Sequence, residues 1–151
     1  MSKVFYLNEI LNFAVEKEQQ AADLYQKLAD RSSDNPERKA LFEKLVQDEL
    51  GHKKFYAEIL AETKDDAPHS EEYTAYMRQL IEDGRTTEPL PDDISGMPFN
   101  DILEYAIARE KDSVMFYLGL RQYVPKSAYD KVDQIIAEEA KHAAIIANLK
   151  E

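Results

Sequence analysis

Four short segments carry the residues that can do chemistry: Glu18-Gln19-Gln20-Ala21, Asp48-Glu49-Leu50-Gly51-His52, Glu110-Lys111-Asp112-Ser113 and Glu138-Glu139-Ala140-Lys141-His142. In the second and fourth, Glu49 and His52, and likewise Glu139 and His142, stand three residues apart. On a helix that spacing projects both side chains from one side on successive turns, about 5–6 Å apart at Cβ, so both can reach one ion. The glutamates do not occupy the positions of solvated charges. Glu18 falls four residues after Ala14 and three before Ala21, Glu49 and His52 fill a gap between Leu45 and Tyr56, Glu110 lies between Ala106 and Val114, and Glu139 and His142 lie between Ile136 and Ile146. Each segment therefore aims ionisable groups along an apolar stripe.

Burying an isolated carboxylate is strongly unfavourable, and four converging without cations have to take up protons. No basic residue is expected at the core positions of these segments to pair with them. Two divalent cations resolve the conflict, because four carboxylates and two neutral imidazoles around two such ions sum to no net charge. The chain has no cysteine, so any metal is held by oxygen and nitrogen, and disulfides, thiolate sites and iron–sulfur modules are excluded from it. A single Glu-x-x-His is usually a surface pair. Two in register with two further core-facing glutamates favour a metal site over a metal-free polar network. His69, three residues after Asp66 but beyond Pro68 in a polar stretch, reads as a solvated histidine and is left outside the site.

The elements that must position these groups are helices. Ala, Leu, Glu, Lys and Gln dominate the long segments, and four glycines in 151 residues argue against sandwiches and barrels, so the class is all-α. A first helix runs from a cap at Asn8 to about Asp30, with Ile10, Leu11, Ala14, Ala22, Tyr25 and Leu28 at helical spacing. Asn35 and Pro36 cap and open a second, reaching about Leu60. The long connection Ala61 to Pro98 holds one short amphipathic helix, Ser70 to about Asp83, ended by Gly84. Its apolar face of Tyr73, Tyr76, Met77, Leu80 and Ile81 suits packing or a dimer contact. Asn100 is read as the cap of a third long helix, and a turn at Val124 and Pro125 leads into the fourth.

The two halves repeat. Asn8, Ile10, Leu11, Ala14, Glu18 and Tyr25 align with Asn100, Ile102, Leu103, Ala106, Glu110 and Tyr117 at a constant offset of 92 residues, and Asp48 to His52 align with Glu138 to His142 at an offset of 90. Two antiparallel hairpins joined by one long crossover give an up-down four-helix bundle of the ferritin-like kind. Residues 1–151 are read as one domain, since 44% hydrophobic content suits one core and no second core follows the crossover.

These segments resemble rubrerythrin-type domains of the ferritin-like di-iron carboxylate family over nearly the whole chain. The resemblance implies terminal ligation by Glu18 and Glu110, bridging by Glu49 and Glu139, and one nitrogen ligand each from His52 and His142. It implies two iron ions, with manganese or zinc able to take the same ligands, and reduction of peroxide or dioxygen at a diferrous centre by a homodimer. Two departures stand out. Full-length rubrerythrins add a four-cysteine electron-delivering module, so a cysteine-free chain needs a separate electron donor protein, and Ser113 occupies the position of an extra rubrerythrin glutamate. A non-enzymatic iron store or ferroxidase, and a helical interaction domain without metal, are the competing classes. Tyr25, Tyr56 and Tyr117 each follow a proposed glutamate ligand by seven residues. Packing explains all three, and a hydroxyl bond to a ligand carboxylate is the sharper expectation for Tyr25 and Tyr117. The net charge of −11 makes nucleic acid and anionic membranes poor partners. With neither a signal segment nor an apolar run long enough to span a bilayer, a cytoplasmic location is the default.

Overall fold

The computed structural model describes residues 7–63, 71–86 and 90–151, and among them every regular element is helical. Four long helices, α1 (Leu7–Arg31), α2 (Pro36–Glu62), α4 (Phe99–Leu120) and α5 (Tyr129–Ala147), pair as two hairpins, and α3 (Glu71–Thr86) lies in the crossover against α4. A single 3-10 turn, Lys126–Ala128, leads into α5. The architecture is the all-α, ferritin-like bundle with one long crossover containing a short helix. His69 lies outside the described residues.

Local chemistry sets the helix boundaries, with three corrections to the sequence reading. Asn35 caps α2 as expected: its side chain accepts from the Arg38 amide at 3.1 Å, and Pro36 begins the helix, where a missing N–H costs nothing. Asn100, however, does not cap α4. The helix starts one residue earlier, after Pro98, and the Asn100 side chain instead donates to the Glu151 carbonyl at 2.6 Å and accepts from the Glu151 amide at 3.0 Å, tying the chain's last residue to the start of α4. Asn8 likewise stands inside α1, one residue after Leu7. Gly84 does not stop α3, which continues to Thr86. Nor is the whole apolar face of α3 buried: Met77 and Ile81 are covered, whereas Tyr76 is exposed.

The interior is divided. One apolar cluster contains Ile10, Leu11 and Ala14 of α1, Tyr56 of α2, Phe116 and Tyr117 of α4 and Val132 and Ile135 of α5, with Met77 and Ile81 of α3 packed into it. The other contains Ala22, Tyr25 and Leu28 of α1, Phe42 and Leu45 of α2, Ile102, Leu103 and Ala106 of α4 and Ile146 of α5. Along every long helix the change from one cluster to the other falls at the acidic segment: between Ala14 and Ala22, Val46 and Tyr56, Ile107 and Phe116, and Ile135 and Ile146. Truncating one of the large buried side chains on either side, such as Phe42 or Phe116, costs about 3–5 kcal/mol. Stability from packing thus comes from two regions with a polar layer between them.

Candidate metal centre

That layer holds all six residues singled out by spacing. Glu18, Glu49, His52, Glu110, Glu139 and His142 are each no more than 3% exposed. They converge as two overlapping groups, Glu18, Glu49, His52 and Glu139 on one side and Glu49, Glu110, Glu139 and His142 on the other, and within each group one nitrogen or oxygen per residue lies within 4.8 Å of all the others. Glu49 and Glu139 belong to both groups, which is the arrangement two neighbouring ions sharing two carboxylates require.

Each imidazole turns Nδ1 into the layer. His52 Nδ1 is 2.8 Å from Glu139 Oε1 and 3.6 Å from Glu18 Oε2, and His142 Nδ1 is 2.8 Å from Glu49 Oε1 and 3.8 Å from Glu110 Oε1. The opposite nitrogens face outward to a second set of carboxylates. His52 Nε2 pairs with Glu138, and His142 Nε2 lies 3.1 Å from Asp48 Oδ2. The pairing is crossed: the acidic residue just before each central glutamate holds the histidine of the other hairpin. Asp48 and Glu138 are partners of the candidate site that sequence reasoning quoted as part of the motif without a role. The available signal was that both repeats place an acid immediately before the core glutamate.

The tyrosines cross in the same way. The Tyr25 hydroxyl of α1 donates to Glu110 Oε1 of α4, and the Tyr117 hydroxyl of α4 donates to Glu18 Oε1 of α1 at 2.5 Å. The sharper expectation for these two residues is met. Tyr56 stacks on Tyr117 with ring centroids 4.9 Å apart, and among the described residues its own buried hydroxyl has no hydrogen-bond partner.

The outer atoms are satisfied and the inner ones are not. Among the described residues, Glu18 Oε2, both oxygens of Glu49, Glu110 Oε2, Glu139 Oε1, His52 Nδ1 and His142 Nδ1 are buried without a hydrogen-bond partner of proper geometry. Orphaned buried acceptors are rare in proteins, and their concentration in one layer marks a place for cations. Electrostatics agrees. Burial first, then the carboxylates of Glu18, Glu139 and Glu110, hold Glu49 far above the ordinary carboxylate range, and burial with the Glu18 charge does the same to Glu139. Burial works to lower His52, but Glu139 and Glu18 overcome it and push the imidazole up to about 11. For the outer pair the balance reverses: burial opposes ionisation of Glu138, yet hydrogen bonds from His52 and Gln134 lower it, and bonds from Lys44 and His142 likewise lower Asp48. The layer therefore retains protons wherever cations do not replace them. The donor set, four carboxylates and two imidazoles with their outer atoms already satisfied, fits two divalent ions.

One expectation fails. A basic residue does reach the core: Lys17, next to Glu18 on α1, is 5% exposed, and burial followed by the charge of Arg109 draws its ammonium down to about 8. Its side chain runs along Phe13, with the nitrogen 5.6 Å from the ring centre, rather than into the carboxylate layer.

No match was found among curated proteins. Among solved structures the chain is similar to a Thermotoga maritima protein described as a candidate ferritin-like diiron-carboxylate protein, with 22% identity, a TM-score of 0.77 and coverage of 99% of this chain and 97% of that one. Among the described residues no helix is long and apolar enough to cross a membrane. The model of the ferritin-like domain matches residues 8–151, which takes in every residue of the buried layer, and the chain belongs to that family.

Proposed function

We propose that the chain is a rubrerythrin-like two-metal oxidoreductase that reduces peroxide, or dioxygen, with iron as its metal and a separate protein as its electron donor. The observation that carries this reading is the set of inward, unbonded oxygens and Nδ1 atoms shared between two overlapping four-residue groups. Glu18 and Glu110 are the terminal ligands, Glu49 and Glu139 the bridges, and His52 and His142 the nitrogen ligands through Nδ1. Manganese and zinc suit the same donors. When bound, two ferrous ions supply the two electrons that, with two protons, convert hydrogen peroxide to two waters.

The chain's own residues prepare that chemistry. Asp48 and Glu138 engage Nε2 and so hold each imidazole with Nδ1 toward the layer, the orientation a metal ligand needs. Tyr25 and Tyr117 engage one oxygen of each terminal glutamate and leave the other facing the layer. The protons that Glu49 and Glu139 retain by burial leave as cations arrive. Two apolar clusters shield the layer from bulk water on both sides. We further propose that the protein is a cytoplasmic homodimer.

Elemental analysis after anaerobic loading with ferrous ion, compared with Glu49→Ala combined with His142→Ala, tests the site. About two ions per chain, lost in the variant, are expected. Absence of metal in the unaltered protein leaves only a helical interaction domain. Mixing the loaded protein with hydrogen peroxide then tests the reaction: oxidation no faster than that of free ferrous ion rejects it, and assembly into a large hollow shell shifts the reading to iron storage.

A further inference from the structure

Three tyrosines stand two helical turns after a glutamate of the buried layer: Tyr25 after Glu18, Tyr56 after Glu49 and Tyr117 after Glu110. Helical side chains lean toward the amino terminus of their own helix, so each ring tilts back toward the layer. All three are at most 1% exposed. Two of the hydroxyls reach a carboxylate, Tyr25 on Glu110 and Tyr117 on Glu18. The third does not. Tyr56 lies along Tyr117 with ring planes 28° apart, and among the described residues its buried hydroxyl has no hydrogen-bond partner.

A buried hydroxyl without a partner is unfavourable, and a phenylalanine fills the same space without that cost. The repeat indicates that the hydroxyl is not a requirement of the ligand set. At the offset of 90 residues that relates Glu49 to Glu139 and His52 to His142, Tyr56 corresponds to Ile146. Burial first, then the charges of Glu18, Glu139 and Glu49, keep the phenol protonated well above the ordinary tyrosine range, so it stays a donor. Those three carboxylates all belong to the four-residue group that contains His52, which lies one turn before Tyr56 on α2.

The surroundings restrict what can accept from this donor. The inward carboxylate oxygens nearby are the atoms that cations take, so the acceptor is a molecule that arrives at the cations. It is also small, because packed side chains close the layer on both sides. Peroxide and dioxygen meet both conditions. We propose that Tyr56 is the hydrogen-bond donor to the oxidant, directing it to the Glu18 and His52 side of the layer, whereas the Glu110 and His142 side has Ile146 at the equivalent position. The assignment rests on the peroxide-reducing reading and makes the two sides unequal in oxidant binding. Tyr56 keeps its proton throughout, so it orients the oxidant and does not enter the proton balance of the reduction.

The test is Tyr56→Phe in the iron-loaded protein, with circular dichroism to verify the fold. Metal content should stay at about two ions per chain. The oxidised protein is titrated with azide, a small anion that binds iron and accepts a hydrogen bond, and the variant should bind it about tenfold more weakly. Half-maximal oxidation of the reduced protein should likewise require about tenfold more hydrogen peroxide. Unchanged azide affinity overturns the assignment, and so does loss of metal, which would make Tyr56 a partner of a ligand carboxylate. If Tyr56→Phe does not fold, azide is added to the unaltered zinc-loaded protein and followed by heteronuclear NMR. The Tyr56 ring signals should then shift more than those of Phe42 in the other apolar cluster, and equal shifts overturn the assignment. Hydrogen peroxide that oxidises the unaltered protein and Tyr56→Phe alike removes this proposal alone. Hydrogen peroxide that fails to oxidise the unaltered protein removes the reading beneath it.

Discussion

The α1–α2 hairpin and the α4–α5 hairpin agree in the residues that face the carboxylate layer and differ at positions on its flanks. Glu18, Glu49, His52 and Tyr25 have counterparts in Glu110, Glu139, His142 and Tyr117, and the hydrogen bonds of the two tyrosine hydroxyls and of the two histidine Nε2 atoms cross from one hairpin to the other. Away from the layer the match is partial: Ile10, Leu11 and Ala14 keep counterparts in Ile102, Leu103 and Ala106, and other positions do not. Tyr56 corresponds to Ile146, and Lys17 corresponds to Arg109. Arg109 reaches solvent and donates to Gln20 at 2.7 Å, whereas Lys17 is buried along the Phe13 ring. The difference teaches which positions the metal layer constrains. Residues that face the shared layer are held to equivalence, and those on its flanks are free to differ.

The strongest way to break the equivalence is at the shared carboxylates. Glu49→Ala and Glu139→Ala should each abolish binding of both metals, because each residue belongs to both four-residue groups, and metal analysis would show any asymmetry as one retained ion. A smaller effect is expected at the crossed acids. Asp48→Asn and Glu138→Gln should each weaken metal affinity about 10–100-fold, as loss of an orienting partner typically does. Chelator competition measures it, and unequal losses would show that one histidine depends less on its partner.

The pH response sharpens the comparison between loaded and stripped protein. In the metal-free state Glu49, Glu139 and His52 have raised values, so the folded chain binds more protons than the unfolded chain. Stability from the glutamates is full below their unfolded values and falls as pH rises above about 4.5. That from His52 falls above about 6.5, by up to about 1.4 kcal/mol per pH unit per retained proton. The metal-free melting temperature should therefore drop between about pH 6 and 8, whereas metal affinity rises over the same interval as protons compete less. A stripped protein that is more stable at the higher pH refutes the account. The smallest expected effects are those of Tyr25→Phe and Tyr117→Phe, about 1–3 kcal/mol in stability or metal affinity each, since each removes one hydrogen bond to a charged acceptor. A much larger loss in one than in the other would mean that the two terminal glutamates are not equivalent.

How far the sequence revealed this structure depended on whether the physics was local. Glu18, Glu49, His52, Glu110, Glu139 and His142 were legible because a charge at a core position violates the helical stripe, and a violation repeated in both halves has few explanations. The tyrosine bonds followed from the same periodicity. Asp48 and Glu138 were visible as residues but not as partners, because their bonds span α2 and α5 and helical spacing does not specify which outer groups meet across a bundle. Asn100 was misread as a cap because an asparagine near a helix start satisfies the local rule, while its actual partner, Glu151, lies 51 residues away. Lys17 was missed because its burial depends on where α3 lies, which the pattern of α1 does not encode.

The division of the interior into two apolar clusters also bears on the rate of metal exchange. Six donor groups, none more than 3% exposed, are closed off above and below by packed side chains from all four long helices. An ion held there cannot leave by swapping ligands at an open surface. It would depart when the hairpins separate, so its residence time would follow the breathing of the bundle, and a change that loosens either cluster would shorten that time without touching a ligand.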